Sequence, residues 1–543
     1  MLSDLIASDM LNSGISVMFG VQGGACARII DSFVAQGGDY VPVLNEQAAG
    51  YAAHGYFLKT KKIASVVVTT GPGLTNAVSG MASCYYDSIP ILMISGQIKS
   101  TLNHAKIFKT KMVGFQELPH LDIIKPVCDS VVDIRSTIDY ISQRSAIWSK
   151  LVSGQSSIFL EIQDDIQRDK CIVSDYERLN DIHHVNLLES MQIQASNSIE
   201  CDLIVLGSGA KNLSQISINN INNTDIPVIL SWGGQSMASV FINFKGLFGT
   251  HTPGVGNTYF SSASCPIVAG ASMLQHQSGR NSMNAFKSAS SIIYINKEPN
   301  EISRFNSYFG KRSKSCSINA DTFFRLNSIV KKDNYQISMI SDVKTEEGSR
   351  LDSPPLFFSR LLSVFKKYGY CVFTDAGATL SWSYQGLNLL KPDRSKLEMY
   401  SSFNLHPMGF SNCALVGALQ EESDDMILAI IGDGSLPMNC QELTHLQGSK
   451  RAKLVVLDNK GYGIIRLTQK EYFDGNLLGS DFSGKSKLPF FDVSKIIDGF
   501  GLTYIKTTTA ATDSDIYNFF ESNVQVLIVS CDVDSTIQTD FYS

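Results

Sequence analysis

Two apolar runs in the last third of the chain, Met426–Ile431 and Lys453–Leu457, each break off into a polar, glycine-bearing turn. The first runs into Gly432-Asp433-Gly434-Ser435 and the second into Asp458-Asn459-Lys460-Gly461. Strands without polar alternation are the pattern of a parallel sheet buried on both faces. The segment Gln441–Leu446 between them reads as the crossover helix that parallel strands require. In such a unit the strand carboxyl ends share one edge, which is where open α/β sheets take their ligands. Asp433 and Asn459 therefore converge as oxygen donors, near backbone amides left open by Gly432 and Gly434. Oxygen donors of this kind suit Mg²⁺ shared with a phosphate ester, because that cation prefers a few protein oxygens plus phosphate oxygens.

At 543 residues the chain is too long for one ordinary core. Apolar strands and helical segments alternate in three blocks, 1–168, 185–335 and 350–543. Polar stretches near 165–190 and from Asp342 to Pro355, the latter with Gly348 and Pro354-Pro355, read as linkers. The expected architecture is α/β: three domains, each with a central parallel sheet flanked by helices.

Composition removes several functions. A net charge of −6 with no long Lys/Arg block argues against nucleic acid as partner. No apolar run approaches the ~20 residues that span a bilayer. The first residues, Met1-Leu2-Ser3-Asp4, lack the basic start of a secretory signal. The 11 cysteines contain no Cys-x-x-Cys pair, which reads as reduced core thiols in a cytoplasmic protein.

Glu46 ends an apolar stretch, Val41–Leu44, and starts a helix of small residues, Gln47–Ala53. A carboxyl so placed is expected to be desolvated and to hold its proton more tightly. With "NEQAAGYAAHGY" at Asn45–Tyr56, the chain carries "FGVQGG" at Phe19–Gly24, "TTGPGLTNAVSG" at Thr69–Gly80 and "DSIPILMISGQ" at Asp87–Gln97. It also carries "GFQE" at Gly114–Glu117, "HPMGF" at His406–Phe410 and "GYGIIRLTQ" at Gly461–Gln469. Together with the Gly-Asp-Gly and Asn turns, these segments resemble thiamine-diphosphate enzymes related to the catalytic subunit of acetolactate synthase. The resemblance runs along nearly the whole chain.

What the resemblance implies is a pyrimidine-binding first domain, a central Rossmann-like domain and a diphosphate-binding third domain. It assigns Glu46 to the aminopyrimidine nitrogen of thiamine diphosphate, a bond that promotes loss of the thiazolium C2 proton; the cofactor then supplies the carbanion chemistry. Asp433, Asn459 and the Gly461 carbonyl match the Mg²⁺ ligands. Gly432, Gly434, Ser435, Gly377, Ala378 and Thr379 match the diphosphate loops, and Tyr462, Gly463 and Ile464 the segment that follows the metal turn. Met408 matches the apolar wedge that bends the cofactor, the His406 carbonyl an acceptor for its 4′-amino group, and Gln116 an amide near the reacting carbon. Gly23, Gly24, Thr70 and Asn76 match the pyrimidine side of the site. Because Glu46 and the metal turn lie in different blocks, the resemblance implies that they meet across a subunit interface, in a homodimer at least and with a homotetramer open. The implied substrates are a small 2-keto acid donor such as pyruvate and a second carbonyl as acceptor.

The pattern is broken where the acceptor is chosen. Asn45 stands where acetolactate synthases have His, and Thr468 where they have a Trp favouring 2-ketobutyrate. Ala378-Thr379-Leu380 replaces their Gln-His-Gln, and Gly270-Ala271-Ser272-Met273 their Gly-x-Arg-Phe, so FAD is expected to be weak or absent. A longer stretch between Gln97 and Phe115 looks more like homologues encoded with surface-polysaccharide enzymes. Acetyl transfer to a nucleotide-linked keto-sugar is therefore an alternative to acetolactate formation. A simple 2-keto acid decarboxylase, a pyruvate oxidase and a non-catalytic binding subunit are more distant alternatives.

Overall fold

The computed structural model describes residues 1–152, 157–171, 198–250, 254–278, 286–332, 353–390, 397–482, 486–489 and 491–532. Three six-stranded sheets, parallel in every pairing, carry the architecture. The expected α/β class is what is found.

The first sheet runs Asp39–Pro42, Val17–Gly20, Ser65–Val68, Ile91–Gln97, Ser157–Gln163, Ser130–Ile134 across its width. The third runs Glu398–Tyr400, Cys371–Thr374, Ile427–Gly432, Ala452–Asp458, Val526–Ser530, Tyr504–Thr508. Counted along the chain, both have the same order, 2-1-3-4-6-5. The second runs Phe244–Phe248, Val228–Ser231, Leu203–Leu206, Pro266–Ala269, Ile292–Ile295, Ser313–Cys316, the order 3-2-1-4-5-6 of dinucleotide-binding sheets. A short parallel pair, Ser198–Cys201 with Ser328–Lys331, closes the chain entry and exit of the second block.

The strand pair expected in the third block is present in detail. Ile427–Gly432 and Ala452–Asp458 are adjacent, parallel and almost wholly buried. The crossover is a correction of kind: Cys440–Leu446 winds as a 3₁₀ helix rather than an α-helix. Pro354 and Pro355 do not sit in a linker; they open the helix Pro354–Phe365, where proline's missing N–H costs nothing. The start of the other expected linker, near 165–190, is a 3₁₀ turn at Ile166–Arg168; residues 172–190 and 342–352 lie outside the described residues.

The first and third blocks are locked by helix Glu46–Thr60 against helix Phe410–Ala418. Their backbones touch. A Cβ on Gly417 would fall 1.8 Å from the Ala52 carbonyl oxygen, and one on Gly55 2.3 Å from that of Ala414. Only glycine permits this approach. Buried residues of both blocks consequently form one apolar cluster, from Val17 and Phe19 to Leu454 and Val456.

Candidate active site

In a sheet of order 2-1-3-4-6-5 the winding reverses between strands 1 and 3, and a crevice opens outside their carboxyl ends. In the third sheet those strands are Cys371–Thr374 and Ile427–Gly432. A cavity of about 590 Å³ opens there. It is lined by the turns Ala376–Ser381 and Gly432–Ser435, by Asn459 and Gly461–Ile465, and by His406 and Met408. Thus Gly377, Ala378, Thr379, His406, Met408, Gly432, Asp433, Gly434, Ser435, Asn459, Gly461, Tyr462, Gly463 and Ile464 come together as expected.

Asp433 is buried, with Oδ1 accepting from Gly434 N–H (2.7 Å) and Oδ2 from Gly461 N–H (3.2 Å). Burial, and then the neighbouring Asp458, push its carboxyl up to about 7. Such a carboxylate calls for positive charge. The Asn459 side-chain oxygen faces only acceptors. Exchanging its oxygen and nitrogen would let the nitrogen donate to Asp433 Oδ1 at 3.1 Å and to the Gly461 carbonyl at 2.7 Å. With oxygen at that point, the Asn459 oxygen stands about one octahedral edge from Asp433 Oδ1 and from the Gly461 carbonyl, since Mg–O bonds of ~2.1 Å at right angles space their oxygens by ~3 Å. The donor set fits a hard divalent cation. Among the described residues no cluster of three His, Cys, Asp or Glu side chains offers a softer metal site.

Asp375 ties the cavity loops together. It is fully buried at the end of Cys371–Thr374 and accepts from the N–H groups of Ala376 (3.0 Å), Gly409 (3.1 Å) and Ser411 (2.9 Å). Burial raises its carboxyl, and Ser411, the Ser435 side chain and Gly409 N–H oppose the rise. One carboxylate thereby fixes the turn after its own strand, the start of the helix after Met408 and the Gly-Asp-Gly-Ser turn. His406, at φ 52, is held in the left-handed region by a chain that must turn sharply there.

The first-block residues gather elsewhere, at the matching switch point of the first sheet. Asn45 caps its helix through Gln47 N–H (2.9 Å), a role asparagine fills well. Glu46 follows, and its Oε2 accepts from Asn76 Nδ2 (3.0 Å). In the single chain Glu46 is half-buried rather than desolvated, a correction to the sequence expectation, because its own chain covers only part of that face. Gly23 packs on Thr69, and Gly24 opens to free space. Thr70 Oγ1 lies 2.9 Å from the Gln116 carbonyl, and Gln116 itself is left-handed at φ 62. None of Gly23, Gly24, Glu46, Thr70, Asn76 or Gln116 lines the third-block cavity.

Residues 1–122 match the thiamine pyrophosphate enzyme N-terminal TPP binding domain, and residues 375–530 the C-terminal TPP binding domain. The two matches coincide with the two switch-point sites. The chain belongs to the thiamine pyrophosphate enzyme family. Within that family it is similar to acetolactate synthase large subunits. That of Buchnera aphidicola (subsp. Schizaphis graminum) is 24% identical over 93% of this chain and 90% of its own. The isozyme 2 large subunit of Escherichia coli K12 is 24% identical over 85% and 83%. That of Lactococcus lactis is 23% identical over 97% and 91%.

Two contributors to the cavity escaped sequence reasoning. Trp232 and His276 of the second block line the same cavity. Their rings form a wall with Tyr384 stacked on Trp232 (5.3 Å) and His276 edge-on to His406 (5.9 Å). No local pattern announces them, since they reach the cavity only through docking of the second block. Asp375 was findable: it ends an apolar strand just as Asp433 does.

Proposed function

We propose that the protein is a thiamine-diphosphate- and Mg²⁺-dependent carboligase. It decarboxylates pyruvate or a similar 2-keto acid and joins the two-carbon unit to a second carbonyl. The observation that carries this reading is the meeting of Asp433, Asn459 and Gly461 oxygens beside the open amides of a strand-end cavity. Bound there, the cofactor supplies a carbon nucleophile and an electron sink. Gly434, Ser435 and Gly377–Thr379 would hold its diphosphate, Met408 would pack against it, and the His406 carbonyl would accept from its amino group. Residues 1–168 serve as the pyrimidine-binding domain, 185–335 as the central domain and 350–543 as the diphosphate-binding domain.

Glu46, Asn76 and Gln116 act on a cofactor seated in another copy of the chain. In support, they lie outside the cavity, and apolar side chains stand exposed around both half-sites. Leu44 (61%) and Phe115 (81%) flank one, Ile465 (47%) and Phe473 (60%) the other. A homodimer is the smallest complete enzyme, and pairing of dimers is compatible with it.

A second reading of the acceptor, a nucleotide-linked keto-sugar, draws on the site mouth. Thr468, small and exposed, stands where a Trp narrows the acetolactate synthases. Lys99, Lys109 and Lys111, also exposed, rim the loop that leads to Gln116. Incubation with pyruvate plus a panel of acceptors, read by mass spectrometry, decides between the two. Acetolactate as the main product supports the first reading, and an acetylated branched sugar the second. Acetaldehyde or peroxide alone would refute carboligation.

The central domain carries little or no FAD on this reading. Its switch point, between Leu203–Leu206 and Pro266–Ala269, is filled by its own backbone. Gly209 N–H donates to the Gly270 carbonyl (2.9 Å), and a Cβ on Gly270 would lie 2.6 Å from the Gly209 carbonyl carbon. The Gly209 amide, one of those a pyrophosphate would use at this edge, is thereby taken up. The purified protein is expected to be colourless above 400 nm, on the order of less than 0.1 flavin per chain; a stoichiometric flavin spectrum would overturn this assignment.

A further inference from the structure

Beneath Gln116 lies a closed network of buried polar side chains, in which the carboligase reading assigns a part to Thr70 alone. His120, only 1% exposed, packs between the carboxyl ends of three strands of the first sheet. Its Nε2 accepts from Gly71 N–H (3.2 Å), which leaves the ring proton on Nδ1. Nδ1 lies 2.9 Å from Glu161 Oε2, and Glu161 is itself 5% exposed. Gln97 completes the circuit: its Nε2 donates to Glu161 (3.2 Å) and to the Leu118 carbonyl (3.0 Å). Its Oε1 lies 2.9 Å from Thr70 Oγ1, the hydroxyl that also reaches the Gln116 carbonyl.

Of the two residues held by this network, Gly71 takes a positive φ freely and Gln116 does not. Gly71 (φ 70) begins the helix Pro72–Tyr86 and abuts Gln116, so that a Cβ on it would lie 2.9 Å from the Gln116 Cβ. Gln116 is left-handed at φ 62, which a side-chain-bearing residue keeps only where its surroundings impose it. A buried carboxylate and imidazole are costly unless every member is paired, and here each has a partner. Neither can touch a substrate, because both are sealed under the Thr70–Gly71 turn.

We propose that Glu161 and His120 are positioning residues for the carboligation step: they hold the Gly71 turn, and through it the left-handed Gln116, against the reacting carbon. The inference rests on the carboligase reading for what Gln116 faces. Glu46 makes no hydrogen bond to this circuit. It is held by Asn76, further along the helix that Gly71 begins, and by the close packing of its own helix on Pro72–Tyr86 through Gly50 and Gly80. The network therefore acts after cofactor activation, on the use of the activated carbon.

The test separates those steps in the full-length enzyme loaded with thiamine diphosphate and Mg²⁺. Glu161→Leu cuts the circuit, while Glu161→Gln keeps an oxygen for His120 Nδ1–H. Glu161→Leu is expected to lower kcat for ligation by about 10- to 100-fold, the scale of a small misplacement of a reacting group. KM for pyruvate and exchange of the cofactor C2 proton should stay within about twofold, and Glu161→Gln should recover most of the loss. His120→Gln retains an acceptor toward Gly71 but withdraws the donor from Glu161. It gives the same signature, and it serves if the leucine variant does not fold. Ligation within about twofold of wild type in either severed variant overturns the proposal. So does C2 exchange that falls in step with turnover, which marks a general loss of structure. A wild-type enzyme that exchanges C2 and releases aldehyde without ligating would refute the carboligase reading instead. The network's role would then be read from the decarboxylation kcat of the same variants.

Discussion

Asp433→Ala is expected to lose stable thiamine diphosphate altogether. The diphosphate carries several negative charges, and among the described residues the cavity wall offers backbone amides and hydroxyls rather than a lysine or arginine side chain. Most of its charge must therefore be met by the cation, and the cation by Asp433, Asn459 and the Gly461 carbonyl. Removing the one anionic donor leaves two neutral oxygens, too weak to strip a hydrated Mg²⁺. Asn459→Ala should weaken retention in the same direction but less, since it removes a neutral ligand. Calorimetric titration of the EDTA-treated proteins with cofactor and Mg²⁺ measures both. For Asp433→Ala the affinity should drop by about 100-fold or more, the outer end of what loss of a metal-site group costs. Unchanged affinity would remove Asp433 from the metal site and leave the Asn459 amide as a simple hydrogen-bond donor to it. The fold should survive, because Asp433 is a strand-end residue and its burial charged is unfavourable without a cation.

Glu46→Gln is the second large effect, and it falls on a different observable. Glutamine keeps the size and the bond to Asn76 but cannot share a proton with the cofactor ring. Turnover should fall by about 10²–10⁴-fold, the usual contribution of a positioned acid or base, while cofactor affinity falls only modestly. Exchange of the C2 proton into deuterated water reads the step without knowledge of the acceptor. Exchange at the wild-type rate would show that Glu46 is not the activating acid. The two inactive variants also test the assembly. If each site takes Glu46 from one chain and Asp433 from another, refolding or co-expressing Glu46→Gln with Asp433→Ala regenerates intact sites in mixed dimers. Random pairing restores about a quarter of wild-type activity. No recovery would place both residues in one chain's site.

Much of the third-block cavity was legible because it is built within one strand–crossover–strand unit. Parallel strands with a crossover must present their carboxyl ends on one edge, whatever the rest of the chain does. Asp433, Gly434, Ser435 and Asn459 therefore meet in the structure as their strand-end positions require. Burial of the strands follows from the same unbroken apolar runs. The 3₁₀ winding of Cys440–Leu446 was not legible, since a single short turn is decided by how it packs rather than by its own propensity. The same holds for Pro354-Pro355, which breaks a chain in one context and starts a helix in another.

Sequence by itself determined the parallel α/β class, the cation-type oxygen donors and, through resemblance, the cofactor. Those features depend on neighbours in the chain or on one crossover. Tertiary structure alone decided that Trp232 and His276 of the second block enter the cavity, that Asp375 binds three of its loops, and that His120 and Glu161 sit beneath Gln116. It also decided that Glu46 stays outside its own chain's cavity. Such contacts join residues tens to hundreds of positions apart, and they exist only once whole sheets and helices have docked, so no local spacing could encode them.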